Sequence, residues 1–188
     1  MGLYRARDLL LPPSLISFVR LPLAAVFPFV HARPWVAFGV MVASGLSDVL
    51  DGFWARRFGQ ATATGAVVDP ITDKVFVLTV AFTLVRAGDL TLGSVLLLST
   101  REIGELPLVI WLSIDRAARK RKREHAKANV PGKLATALQF AAVTAALFHV
   151  PQTPWLIGAT AVMGAVAAVT YWRWALTPDR GRAGRTPG

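Results

Sequence analysis

SDVLDGFWARRFGQATATGAVVDPITDK runs from Ser47 to Lys74 and sets four aspartates, Asp48, Asp51, Asp69 and Asp73, against the ends of two apolar segments. Carboxylates in such a place are costly unless something positive meets them. Asp48 and Asp51 stand three apart, and Asp69 and Asp73 four apart, so on helices each pair shares a face. The linker between the pairs is short, which predicts antiparallel neighbouring helices and one point of convergence for all four carboxylates. An all-oxygen donor set suits the hard ions Mg²⁺ or Mn²⁺. Four carboxylates suffice for two such ions, with substrate phosphate filling the open positions. The competing reading makes them solvated loop charges paired with Arg56, Arg57 and Lys74.

The rest of the chain says what surrounds these charges. Of 188 residues 54% are hydrophobic, with a mean hydropathy of +0.48, too apolar for a soluble domain of this size. The net charge is nonetheless +10, so the basic residues must cluster outside the apolar stretches. That combination points to an integral membrane protein with basic loops and argues against a nucleic-acid binder. With no cysteine, disulfides, thiolate metal sites and cysteine nucleophiles are excluded. The apolar stretches are Leu15–Val30, Trp35–Leu50, Val67–Val85, Leu90–Ile114, Leu134–Val150 and Trp155–Leu176. A span needs roughly 20 helical residues, and the two shortest can each borrow a turn from a flank. Backbone groups in lipid must be satisfied within their own segment. The expected fold is therefore all-α, an integral membrane bundle of six transmembrane helices in a single domain over 1–188. An N-terminal interfacial helix is expected in MGLYRARDLLLPP, a basic loop over about 115–133, and a flexible tail over about 178–188. The stretch ending FVHA mimics a secretory signal, but five further apolar segments argue against cleavage.

Placing both termini in the cytoplasm puts Arg5, Arg7, Arg56, Arg57, the run Arg116 to Lys133, Arg173, Arg180, Arg182 and Arg185 on that side. Only Arg33 and Arg86 face the other side. By the bias of basic residues towards cytoplasmic loops, the four aspartates lie at the cytoplasmic face of a multi-pass protein of the cell's inner membrane.

The residues between the aspartates suit a phosphate ligand. Gly52, Ala55 and Gly65 leave room against the backbone. Arg56 carries a planar fork for phosphate, and Thr62 and Thr64 carry hydroxyls. The run Asp48-x-x-Asp51-Gly52-x-x-Ala55-Arg56, eight residues, then Gly65-x-x-x-Asp69-x-x-x-Asp73 resembles without departure the signature of the CDP-alcohol phosphatidyltransferase family. The six-helix layout is similar too, so the likeness covers nearly the whole chain. Within the family, DGFWARRFGQATATGAVVDPITDK and the later REI most resemble bacterial phosphatidylglycerophosphate synthases, with cardiolipin synthases next.

The resemblance implies a reaction and roles. An alcohol hydroxyl attacks the phosphorus that carries diacylglycerol in CDP-diacylglycerol, and CMP leaves. Asp48, Asp51, Asp69 and Asp73 would hold the metals, and Asp73 would also take the hydroxyl proton. Gly52, Ala55, Arg56, Thr62 and Gly65 would line the CDP-diacylglycerol pocket. PPSLISFVR is similar to the family's amino-terminal element, with Ser14 and Ser17 where Asn and Thr usually stand. The two serines are thereby candidates for the same pocket, with helix capping as the plain alternative for Ser14. Direct displacement without a covalent enzyme intermediate is expected. A homodimer is common in the family.

The acceptor is harder to read. If it is the anionic sn-glycerol 3-phosphate, it needs cations that CDP does not occupy. Arg101 in STREIGELPLV and Lys133 before LATALQF are the candidates. Against them stand an Arg101–Glu105 pair four residues apart and a Lys133 that merely snorkels. Lys133, Thr136 and Gln139 share a face. Arg20, inside the first apolar stretch, calls for a phosphate or carboxylate partner rather than lipid. The alternatives are a sibling enzyme using phosphatidylglycerol or an inositol phosphate, and, from another class, a divalent-cation transporter. His31, His125 and His149 show no ligand spacing.

Overall fold

The computed structural model describes residues 16–58, 65–114 and 130–176, apart from the side chains of 55, 56, 65–70, 109 and 112–114. The expected interfacial helix, the basic loop up to residue 129 and the tail lie outside the described residues, as do Ser14 and Thr62. Among the described residues the chain is entirely helical: α1 (Arg20–Val30), α2 (Pro34–Arg57), α3 (Gly65–Ala87), α4 (Leu92–Leu98), α5 (Thr100–Ile114), α6 (Val130–Leu147) and α7 (Thr153–Leu176). Two compact units form. One runs to Thr91 and takes in Ala146–Val150; the other comprises Leu92–Ala145 and the residues from Pro151 onward.

In the first unit α1 is the central strut. Its buried residues Arg20, Ala24 and Phe27 follow helical spacing and form one stripe. Phe27 meets Phe76 of α3 edge-on, at 6.3 Å between ring centroids. Arg20 reaches α2. α2 and α3 meet as the short linker implied, and among the described residues each packs more extensively on α1 than on the other. The buried stripe of α2 is Ala37, Met41, Ser44, Ser47 and Asp51, apolar at one end and polar at the other. Pro34 opens this helix, where its missing N–H costs nothing. The helix continues to Arg57, so Asp48 and Asp51 stand inside it rather than at its end. Borrowing from the flank is stronger here than the apolar stretch alone implied. α3 ends at Gly88, whose φ of 87° lets the chain turn back while the amides of Asp89 and Leu90 bond to the Leu84 carbonyl.

The stretch Leu90–Ile114 is broken at Ser99 into α4 and α5, both in the second unit, where one unbroken helix was expected. Thr100 turns its hydroxyl back onto the Leu97 carbonyl at 2.7 Å, a local bond that competes with the regular ladder. α7 runs beside α4 and α5. The backbones approach closely because the meeting residues are small. A Cβ on Gly104 would stand 2.7 Å from that of Ala168, and one on Gly164 would stand 3.1 Å from the Arg101 amide nitrogen. α6 starts at Val130, earlier than expected, because Pro131 in a first helical turn opens a helix instead of ending a loop.

Outward faces are apolar: Phe29, Trp35, Phe82, Leu92 and Trp155 are all exposed. Large apolar side chains exposed to this extent suit a lipid environment. Among the described residues three helices are long and apolar enough to cross a membrane: Pro34–Trp54, Val130–Leu147 and Thr153–Leu176. The others fall short for identifiable reasons. Ile16–Val30 is short, α3 carries Asp69, Asp73, Lys74 and Arg86, and α4–α5 is broken and bears Arg101, Glu102 and Glu105.

Candidate active site

The first unit contains a buried knot of charge. The Arg20 guanidinium has no exposed surface. Its Nη2 donates to Asp48 Oδ1 at 2.9 Å and to Asp51 Oδ2 at 2.7 Å. Its Nε donates to Ser47 Oγ at 3.2 Å, and Ser47 in turn donates to the Ser44 carbonyl at 2.7 Å. The Ser17 hydroxyl donates to Asp51 Oδ2 at 2.7 Å. Ser17, just before α1, and Arg20 in its first turn thus donate to side chains of α2, and the one-turn spacing of Asp48 and Asp51 lets a single nitrogen reach both. The two carboxylates differ in setting: the Asp48 side chain is 63% exposed and that of Asp51 only 5%. A buried charge of this kind is tolerable only when paired and hydrogen-bonded. The carboxylate partner expected for Arg20 is present, and it is a double one.

Asp73 stands half-buried on α3, one turn beyond Asp69 and next to the buried Thr72. Asp69 shares its helix face by spacing, but its side chain lies outside the described residues, as do those of Ala55 and Arg56. Gly52 is half-buried on α2, and Gly65 opens α3. No group of three acidic or histidine side chains stands at metal-holding geometry among the described residues. The donor chemistry nevertheless fits a cation, because Asp48 and Asp51 already converge within 2.9 Å of one positively charged nitrogen.

The second unit holds the other sequence candidates. Arg101 Nε donates to Glu105 Oε1 at 3.0 Å, the four-apart pairing weighed above against acceptor binding. Its Nη1 also reaches α6, donating to Thr136 Oγ1 at 2.6 Å and to the Gly132 carbonyl at 3.2 Å. Lys133 is exposed in the first turn of α6. Glu102 Oε2 is buried and has no hydrogen-bond partner among the described residues. Trp172 Nε1 donates to the Gly104 carbonyl at 2.8 Å, tying α7 to α5.

Sequence reasoning missed two features. Ser47 anchors Arg20, and the available signal was its place on the Ser44–Asp51 face. Ser17 reaches Asp51, a contact that the sequence, which made it a candidate for the CDP-diacylglycerol pocket, did not show.

The family model of CDP-alcohol phosphatidyltransferases matches residues 10–176. A Pectobacterium atrosepticum protein named CDP-diacylglycerol–glycerol-3-phosphate 3-phosphatidyltransferase is 33% identical over 170 residues, 85% of this chain and 88% of its own. A Mycobacterium tuberculosis protein named as a phosphatidylglycerophosphate synthase is 35% identical over 136 residues, 72% of this chain and 60% of its own. Another from the same organism, named as a cardiolipin synthase, is 36% identical over 106 residues, 53% of this chain and 50% of its own. The chain thus matches about half the length of the last of these relatives.

Proposed function

Because the chain belongs to the CDP-alcohol phosphatidyltransferase family, we propose that it moves the phosphatidyl group of CDP-diacylglycerol onto sn-glycerol 3-phosphate and releases CMP, a step of phospholipid synthesis. The observation that carries this reading is the convergence of Asp48 and Asp51 on one cationic point, inside the sequence pattern that Asp69 and Asp73 complete. Asp48, Asp51, Asp69 and Asp73 would hold Mg²⁺ or Mn²⁺, two ions in all. Bound there, such ions would supply positive charge to the pyrophosphate and the leaving CMP.

Asp73 accepts the proton of the acceptor hydroxyl as that oxygen attacks the phosphorus bearing diacylglycerol. One P–O bond forms to the acceptor, and the P–O bond to CMP breaks. Gly52, Ala55 and Gly65 keep the pocket open against the backbone, while Arg56 and Thr62 hold the CDP phosphates. Ser17 acts through Asp51, on which its hydroxyl rests, and Ser14 is assigned to the headgroup end of the pocket. Arg101 and Lys133 are assigned to the phosphate of the acceptor.

The fuller architecture belongs to the same reading. Six spans follow an interfacial amino-terminal helix in one catalytic domain, with the site at the cytoplasmic face of the inner membrane. The bias of Lys and Arg supports this orientation, and a homodimer follows the family's habit. Family membership leaves the cation-transport alternative without support. A cardiolipin synthase reading, with phosphatidylglycerol as acceptor, is favoured by one specific observation, the 36% identity to the mycobacterial protein of that name.

The deciding experiment measures CMP release by purified protein from CDP-diacylglycerol with glycerol 3-phosphate, phosphatidylglycerol and inositol phosphate offered in turn. Release with glycerol 3-phosphate alone is expected. Release only with phosphatidylglycerol moves the assignment to the sibling, and no release with any acceptor overturns it.

A further inference from the structure

Arg20 occupies an unusual place for an arginine. Its Nη2 lies 2.9 Å from Asp48 Oδ1 and 2.7 Å from Asp51 Oδ2, between two carboxylates of the proposed metal site. It is fully buried, and its Nε is fixed on Ser47 at 3.2 Å. We propose that Arg20 is a resident counter-charge: it keeps Asp48 and Asp51 folded together when no divalent ion is bound, and it lowers the affinity of the site for such an ion. The inference rests on the metal reading given above.

The argument is electrostatic. Two carboxylates one turn apart, one of them buried, repel each other across a medium that screens poorly. The guanidinium removes that repulsion in the metal-free protein. It also takes one oxygen of each carboxylate for its own hydrogen bonds. A divalent ion arriving at the same pair meets a fixed positive charge and carboxylates already partly engaged. Stability without metal and affinity for metal are therefore opposed through one side chain. A merely structural ion pair behaves differently, since its loss would weaken both together. An arginine that only aims the carboxylates at the metal would likewise leave weaker binding when removed.

The test uses the full chain in detergent or nanodiscs. It compares the wild type with Arg20→Met, Arg20→Lys and Ser47→Ala. Mn²⁺ binding is followed by the loss of the free-ion paramagnetic resonance signal, and unfolding temperature is recorded with and without Mn²⁺. Arg20→Met is expected to unfold at a lower temperature without metal. It should bind Mn²⁺ at least about tenfold more tightly, from the lost like-charge repulsion, and so gain more thermal stability from the ion than the wild type does. Arg20→Lys should fall between the two. Ser47→Ala keeps the charge and removes only the anchor, so it moves both readings the same way by less, and it serves if Arg20→Met does not fold. Weaker or unchanged Mn²⁺ binding in the Arg20 and Ser47 variants overturns the proposal while leaving the metal site standing. A wild type that takes up no Mn²⁺ overturns the metal reading itself.

Discussion

Arg20 and Arg101 both stand inside apolar helical stretches, and the chain neutralises them in different ways. Arg20 has no carboxylate on its own helix and must take its partners from α2, where Asp48 and Asp51 serve it together. Arg101 is first neutralised by Glu105, one turn along its own helix, and only then reaches across to Thr136 and Gly132 of α6. The Arg20 side chain is 1% exposed and that of Arg101 25%. A self-contained pair leaves its arginine adaptable, with the far edge of the guanidinium on neutral acceptors that a ligand phosphate can replace. An arginine whose charge is met only by carboxylates of another helix is instead part of the frame that holds those carboxylates in place. The contrast is of one arginine held by two carboxylates of another helix and one paired on its own helix and completed by neutral acceptors.

The sharpest way to break the contrast is at Asp51. Asp51→Asn removes a buried partner of Arg20 and a proposed metal ligand at once. Breaking a buried pair costs about 3–5 kcal/mol, and losing a ligand costs several more in the transition state, so CMP release should fall by about a thousandfold or more. Denaturation and turnover, measured side by side, check this. A variant of near-normal stability and half its activity would remove Asp51 from both roles.

Asp73→Asn separates binding from chemistry. The neighbouring carboxylates remain, so CDP-diacylglycerol should still bind while turnover drops by about 10²–10⁴. Substrate binding by equilibrium dialysis and single-turnover CMP release read the two separately. Retained turnover would exclude Asp73 as the base.

Arg101→Gln tests the adaptable side of the contrast. If Arg101 meets the acceptor's phosphate, the KM for glycerol 3-phosphate should rise by about tenfold to somewhat over a hundredfold, the equivalent of roughly 1.5–3 kcal/mol for a charged hydrogen bond. The KM for CDP-diacylglycerol should barely move. Equal changes in both, or a fall in folded yield alone, would reduce Arg101 to its bond with Glu105 and make the two arginines alike.

How far these roles could be read from the sequence depends on how local their causes are. Asp48, Asp51, Asp69 and Asp73 are legible because their spacing alone puts each pair on one helix face. The Arg101–Glu105 pair is legible for the same reason. That Arg20 needed an anionic partner was clear from its apolar surroundings, but the partner's identity required α1 to pack on α2, a tertiary fact. Ser47 is marked in sequence only by its place on the Ser44–Asp51 face, because a serine on an apolar helix usually bonds its own backbone and only packing brings the arginine to it. The break at Ser99 is unreadable for a related reason, since no proline or glycine marks it. The close approach of α5 to α7 shows in sequence only as small residues, which are common in membrane helices for several reasons.

The smallest expected effect lies at that close approach, and it tests whether the second unit holds Arg101 in place through its helix backbone. Gly104 and Gly164 let α7 lie directly on α5, and the Arg101 backbone is what a Cβ on Gly164 would meet, at 3.1 to 3.5 Å. The two positions differ in kind. At Gly104 the obstacle is the Ala168 Cβ at 2.7 Å, so the helices themselves must separate. Overpacking of this sort costs about 1–3 kcal/mol. It would also strain the bond from Trp172 to the Gly104 carbonyl, worth roughly 0.5–1.5 kcal/mol. At Gly164 the neighbour need give only a few tenths of an ångström, so the loss should be smaller, yet the shift falls on Arg101. Gly104→Ala should therefore lower the unfolding temperature more, whereas Gly164→Ala should leave stability nearly intact and raise the KM for glycerol 3-phosphate severalfold. Thermal unfolding and steady-state kinetics of the two variants decide. If Gly164→Ala leaves both KM values unchanged, the position of Arg101 is set by Glu105 and Thr136 alone, and the α5–α7 contact serves only stability.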